Sequence, residues 1–130
     1  MEYWMEASPR QSNQRQLNFL QIAGQLAFRS NITHRHGCVV VDPHTDEILS
    51  KGFNHTHPAM QHVNSVHAEH DALRKIKKHV DLSGAEIYVV RIGPVSRGQA
   101  FTLSKPCDGC TRLLVRHKVG KVYYSSGAQV

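Results

Sequence analysis

The sequence predicts a three-layer α/β/α fold in which a mixed sheet of four to five strands lies between helices. Three observations predict it. The β-branched runs Cys38-Val39-Val40-Val41 and Ile87-Tyr88-Val89-Val90 read as buried strands. Apolar stripes at helical spacing precede, separate and follow them. A turn-flanked hairpin then gives way to alternating strands and helices, and such crossovers place helices on the faces of the sheet.

The elements follow in order. Residues 1 to 11 carry Ser8, Pro9 and mixed polar groups and read as a loosely held lead-in. A helix is predicted from about Ser12, with Leu17, Leu20, Gly24 and Phe28 on one stripe, widened by Phe19, Ile22, Ala23, Leu26 and Ala27. Its second half is apolar nearly all round, which predicts deep burial. His36 to Asp42 is a strand, Asp42-Pro43-His44-Thr45-Asp46 is turn chemistry, and Glu47 to Phe53 returns as the second strand of a hairpin. Asn54 to Asn64 reads as a loop. A helix is predicted over Val66 to Val80, with Ala68, Ala72, Leu73 and Ile76 facing inward and Arg74, Lys75, Lys77 and Lys78 forming a solvated face. After Gly84 comes the strand Ala85 to Ile92, then a loop from Gly93 to Ala100. Pro106 suits a first helical turn and opens a helix over Cys107 to His117, ended by Gly120. Lys121 to Ser125 is the last strand. The 130 residues make one domain, 1–130.

Composition narrows the function. An apolar fraction of 40% and a charged fraction of 20% exclude a disordered chain as the first reading. No apolar run approaches the ~18 residues that span a bilayer, and Met1 to Glu6 lacks the cationic start and apolar core of a signal peptide. Three cysteines, two of them three apart, do not make a disulfide framework and point to a metal site in a reducing, cytoplasmic compartment. The net charge of +6 favours anionic partners such as nucleotides.

Two segments carry chemistry, His67-Ala68-Glu69 and Pro106-Cys107-Asp108-Gly109-Cys110, each at a predicted helix start. Zinc takes imidazole nitrogen and thiolate sulfur in a tetrahedron, and three protein ligands leave one corner open, the composition of a catalytic site. His67, Cys107 and Cys110 are therefore the candidate ligands of a Zn²⁺ cofactor. Glu69, two residues from the histidine, is the candidate catalytic acid–base, a carboxylate able to move a proton to and from a water at the open corner.

The pair His-x-Glu and Pro-Cys-x-x-Cys resembles the signature of the zinc-dependent cytidine and deoxycytidylate deaminase superfamily, and the order of elements from Leu17 to Ser125 resembles its core. Within it, Gly52-Phe53-Asn54 and Arg35-His36-Gly37-Cys38-Val39 resemble the branch holding deoxycytidylate and tRNA adenosine deaminases. The resemblance implies that Asn54 holds the nucleoside near its sugar and that the backbone around Ala68 meets the pyrimidine edge. It implies hydrolytic replacement of the C4 amino group of cytosine, giving uracil and ammonia, and a homo-oligomer. Lys105 stands where tRNA-editing relatives usually carry an acidic residue, which disfavours that substrate. The expected substrate is a small cytosine nucleoside or nucleotide, dCMP first. The alternatives are editing of cytosine in single strands or adenosine in tRNA, and a zinc-stabilised binding module without catalysis. Cys38 reads as a small buried side chain, and His55, His57, His62 and His70 as solvated residues.

Overall fold

The computed structural model describes residues 4–7, 13–56, 66–78, 80–93, 101–104 and 107–125. Its elements are β1 (Trp4–Ala7), α1 (Gln14–Ala27), β2 (Arg35–Val41), β3 (Ile48–Phe53), α2 (Ala68–Arg74), β4 (Glu86–Ile92), β5 (Phe101–Thr102), α3 (Asp108–Arg116) and β6 (Lys121–Ser125). The expected three layers are present. The sheet runs β1-β6-β4-β2-β3, with the two-residue β5 pairing β4 off that path. It is mixed: β2 is antiparallel to β3 and β4, whereas β6 is parallel to β4 and β1.

Alternation along the strands divides the interior in two. Val39, Val41, Tyr88, Val90 and Ile92 pack against Phe19, Leu20, Ala23 and Ala27 of α1. Cys38, Val40, Ile87, Val89 and Val122 face the other way, against Ala68 and Ala72 of α2 and Leu114 of α3. α1 starts at a capping box: Asn13 Oδ1 accepts from the Gln16 backbone at 2.8 Å while Gln16 Oε1 accepts from the Asn13 backbone at 3.1 Å, satisfying donors the helix end leaves free. α1 lies so close to β2 that a Cβ on Gly37 would stand 1.8 Å from the Ala23 carbonyl oxygen. At the end of the sheet away from the candidate ligands, Arg15 bridges Asp46 and Glu86 at 2.7 Å each, beside the stacked rings of Tyr88 and Tyr123.

Three expectations change. Trp4–Ala7, placed in the lead-in, forms β1, parallel to β6 with Trp4 opposite Val122; four residues carry too little pattern to show a strand whose partner lies at the far end of the chain. The sheet accordingly has five strands in its main path plus β5, and β5 falls in a stretch where the sequence predicted no strand. α2 is seven residues long, not fifteen. The cations Arg74, Lys77 and Lys78 would repel each other at three- and four-residue spacing in a longer helix, and the chain turns at Lys75 instead. Residues 57–64 and 94–100, read as loop, and Pro106, read as a helix start, lie outside the described residues.

Candidate metal centre

Both chemical segments sit where a helix begins. His67 is the N-cap of α2 and Cys107 the N-cap of α3, each with extended backbone and neither making a side-chain cap hydrogen bond. N-cap positions favour Ser, Thr, Asp or Asn because their side chains turn back onto the helix. Here the two side chains are left to turn towards one another. His67 Nδ1 lies 3.2 Å from Cys110 Sγ and 3.5 Å from Cys107 Sγ, and the three donor atoms lie within 4.8 Å of one another. With bonds of ~2.3 Å to sulfur and ~2.0 Å to nitrogen, donors at tetrahedral corners stand roughly 3.5 to 4 Å apart. The donor set and its spacing fit zinc. All three cysteines are free thiols; Cys38 is fully buried beneath the site and not part of the trio.

The electrostatics also call for a cation. Glu69 is buried, and burial raises its pKa, opposed by its own backbone N–H, His67 and a hydrogen bond with Cys110. The Cys110 thiol is pushed far above its ordinary range by burial, then by Glu69 and Cys107. Burial, with Glu69 and Asp71 after it, raises Cys38 as well. The buried Glu69 carboxylate and Cys110 sulfur, with the exposed Cys107 beside them, oppose each other's ionisation. A divalent ion held by His67, Cys107 and Cys110 would reverse that balance and keep its thiols deprotonated.

The other predicted residues are placed as follows. Ala68 is the first residue of α2, buried, and its carbonyl oxygen presses on β3 at Gly52. Asn54 is buried and its amide is engaged: Oδ1 accepts from the His36 backbone at 2.8 Å and Nδ2 donates to the His34 carbonyl. It therefore ties the end of β3 to the start of β2, and its Nδ2 also lies 3.4 Å from His36 Nδ1. His70 is exposed, as expected.

Two supports were missed in the sequence. Asp71, 1% exposed, accepts from the Phe53 backbone at 3.1 Å and from Lys75 and Arg74 at 2.8 Å each, fastening α2 to β3 beside the site. Its spacing to Arg74 and Lys75 is the ordinary helical ion-pair spacing, a signal that was there to use. Ser104 and Ser125 are buried, their hydroxyls 2.8 Å apart, and Ser104 Oγ also donates to the Val89 carbonyl at 2.8 Å. They anchor the segment leading to Cys107, and nothing local in the sequence marks them.

Asp71 gives a stability prediction. Burial would raise its pKa, but the hydrogen bonds from Lys75, the Phe53 N–H and Arg74, with the Lys75 charge, bring it below the usual aspartate value. A carboxylate depressed in the folded state stabilises it fully above the unfolded pKa of ~3.9 and loses that contribution as pH falls through the folded value. Asp71→Ala is expected to cost about 1 to 2 kcal/mol at pH 7, chiefly by leaving the Phe53 N–H without its acceptor. Urea unfolding at pH 7 and pH 3 should show a mutant deficit that shrinks in acid, and an equal deficit at both would contradict this role.

Residues 13–126 match the family described as the cytidine and deoxycytidylate deaminase zinc-binding region. No curated protein matches the sequence. Among solved structures, a dCMP deaminase from the cyanophage S-TIM5, in complex with dCMP and dUMP, is 23% identical with a TM-score of 0.65, covering 93% of this chain and 85% of that one. A Thermotoga maritima diaminohydroxyphosphoribosylaminopyrimidine deaminase/5-amino-6-(5-phosphoribosylamino)uracil reductase is 25% identical with a TM-score of 0.59, over 85% of this chain but 29% of that protein. A cytidine deaminase from Burkholderia pseudomallei is 17% identical with a TM-score of 0.58, over 81% of this chain and 76% of that one. With a zinc-fitting donor set at its two helix starts and a family match over most of its length, the chain belongs to the zinc-binding cytidine and deoxycytidylate deaminase family.

Proposed function

We propose that the protein deaminates a cytosine nucleotide, dCMP to dUMP and ammonia. The observation that carries the reading is the convergence of His67, Cys107 and Cys110 on one point, with Glu69 buried two residues along α2 from His67. A structural zinc site closes all four corners with protein ligands and has no use for a buried carboxylate at its edge.

In this reading His67, Cys107 and Cys110 hold zinc, which when bound acts as a Lewis acid that makes water acidic near neutral pH. Glu69 takes a proton from the water that attacks C4 and gives it to ring N3, then carries the proton of the new C4 hydroxyl to the amino group, so that the C4–N bond breaks and ammonia leaves. Its burial suits both halves of that task, since a raised pKa makes a carboxylate a better base and keeps the proton within reach. The Ala68 backbone meets the pyrimidine edge, and Asn54 holds the nucleoside near its sugar. The S-TIM5 enzyme, crystallised with dCMP and dUMP, and the net charge of +6 support a nucleotide.

A turnover panel of deoxycytidine, cytidine, dCMP, CMP and single-stranded DNA tests this. We expect dCMP to be preferred. Turnover confined to the strand would establish an editing enzyme, and none on any cytosine compound would leave a zinc-stabilised module. The reading includes a homo-oligomer, for which half-buried Leu113 and Val115 on α3 offer apolar surface; a monomer in sedimentation velocity would contradict that part. The free thiols accord with a reducing, cytoplasmic location. Among the described residues, no helix is long and apolar enough to cross a membrane.

A further inference from the structure

The antiparallel register sets His36 of β2 directly opposite Arg91 of β4. The Asn54 N–H bonds the His36 carbonyl at 3.2 Å, so Asn54, His36 and Arg91 form one row across three neighbouring strands. Residues directly opposite in a ladder share a face, and the face is settled by their neighbours. Cys38, Ile87 and Val89 pack with Ala68 and Ala72 of α2. Two residues along each strand, His36 and Arg91 point to that same face, the one that carries the metal ligands.

The row stands about 7 Å, two strand residues, beyond Cys38, which packs in one cluster with Ala68, the residue between His67 and Glu69. His36 stands beside Arg91 in the ladder, with its Nδ1 3.4 Å from Asn54 Nδ2. The cluster is wholly basic. The Arg91 guanidinium meets His34 Nδ1, and His36 Nδ1 lies 3.1 Å from the His34 carbonyl oxygen. None of the four ion pairs among the described residues involves Arg91, His34 or His36. A guanidinium carries five N–H donors in a planar fork, so Arg91 keeps donors for a ligand. Its backbone is fixed, with its N–H on Ser125 Oγ at 3.1 Å.

We infer that Arg91, with His34 and His36 beside it, forms the subsite for an anionic phosphate carried on the substrate's sugar. The inference rests on the deaminase reading for the placement of the base, with the pyrimidine over Cys38 at the metal and the sugar passing Asn54. Arginine is the side chain best shaped to grip a phosphate through paired N–H donors. The neighbouring histidines add donors and exclude an acidic group from the same place. Arg91 then determines specificity for nucleotides over nucleosides and takes no part in the chemical step.

The test compares kcat/KM for dCMP and deoxycytidine in zinc-loaded wild type, Arg91→Gln and Arg91→Lys. Losing a charged hydrogen-bonding partner should lower the dCMP value by about 10- to 100-fold in Arg91→Gln, with deoxycytidine within about twofold and Arg91→Lys recovering part of the loss. Equal loss on both substrates, or none on dCMP, overturns the inference. A binding measurement separates it from the reading on which it rests. Calorimetry with dUMP and deoxyuridine should show tighter binding of dUMP that depends on Arg91, even in a protein with no turnover of cytosine. Equal affinity for the two, or binding of neither, overturns the subsite.

Discussion

Glu69→Gln is expected to lower turnover by about 10³- to 10⁴-fold, the scale on which a positioned acid–base group acts, while leaving zinc content and folding intact. Glutamine keeps the shape of the side chain and loses its capacity to carry a proton. Glu69 is buried at the second position of α2, where burial is the largest influence raising its pKa, so a neutral amide should be tolerated there. Zinc analysis, thermal unfolding and turnover on one preparation separate the possibilities. If zinc is lost with Glu69, the carboxylate is a ligand and the open corner does not exist. If turnover survives, the proton is handled by another group.

Gly52→Ala is expected to damage the site from beneath. A Cβ at this position would stand 2.4 Å from the Ala68 carbonyl oxygen and 2.5 Å from the Ala72 N–H nitrogen. Both atoms belong to the backbone of α2, which cannot rotate aside as a side chain can. The helix must move off β3, and it carries His67 and Glu69 with it. Overpacking of this kind costs typically 1 to 3 kcal/mol, and about 3 kcal/mol or more is expected against backbone. That corresponds to a Tm lowered by roughly 10 °C in a domain of this size. Zinc affinity in competition with a chelator should fall as well. Gly84→Ala is the control, since its Cβ would meet nothing within 4 Å and only its positive φ of 77° is strained. It should lower stability by about 1 kcal/mol without changing zinc affinity.

The parts of the site that were legible in the sequence are those set by short-range chemistry. His-x-Glu and Cys-x-x-Cys name their residue types within a few positions, and the capping of α2 and α3 at His67 and Cys107 turns that spacing into geometry. The apolar strands were legible for the same reason, since Val39 to Val41 and Ile87 to Val90 are buried wherever they pair. What stayed hidden depends on partners distant in sequence. The engagement of Asn54 by the His34 and His36 backbone follows from the way β3 meets β2, and no feature around Asn54 announces it. The opposition of His36 and Arg91 exists only through strand register, and read singly each is an ordinary polar residue in a strand. The length of α2 was misjudged because apolar periodicity continues to Ile76 and Val80 while like charges on the outer face work against the helix.

Deamination here requires one ion shared by His67, Cys107 and Cys110, with a corner left to solvent beside Glu69. X-ray absorption at the zinc edge of the purified, loaded protein tests this most directly. We expect one zinc per chain with two sulfurs at ~2.3 Å and two nitrogen or oxygen neighbours at ~2.0 to 2.1 Å. A third sulfur in that shell would bring Cys38 to the metal and contradict the open corner, and a shell without sulfur would mean that these residues do not bind the ion at all.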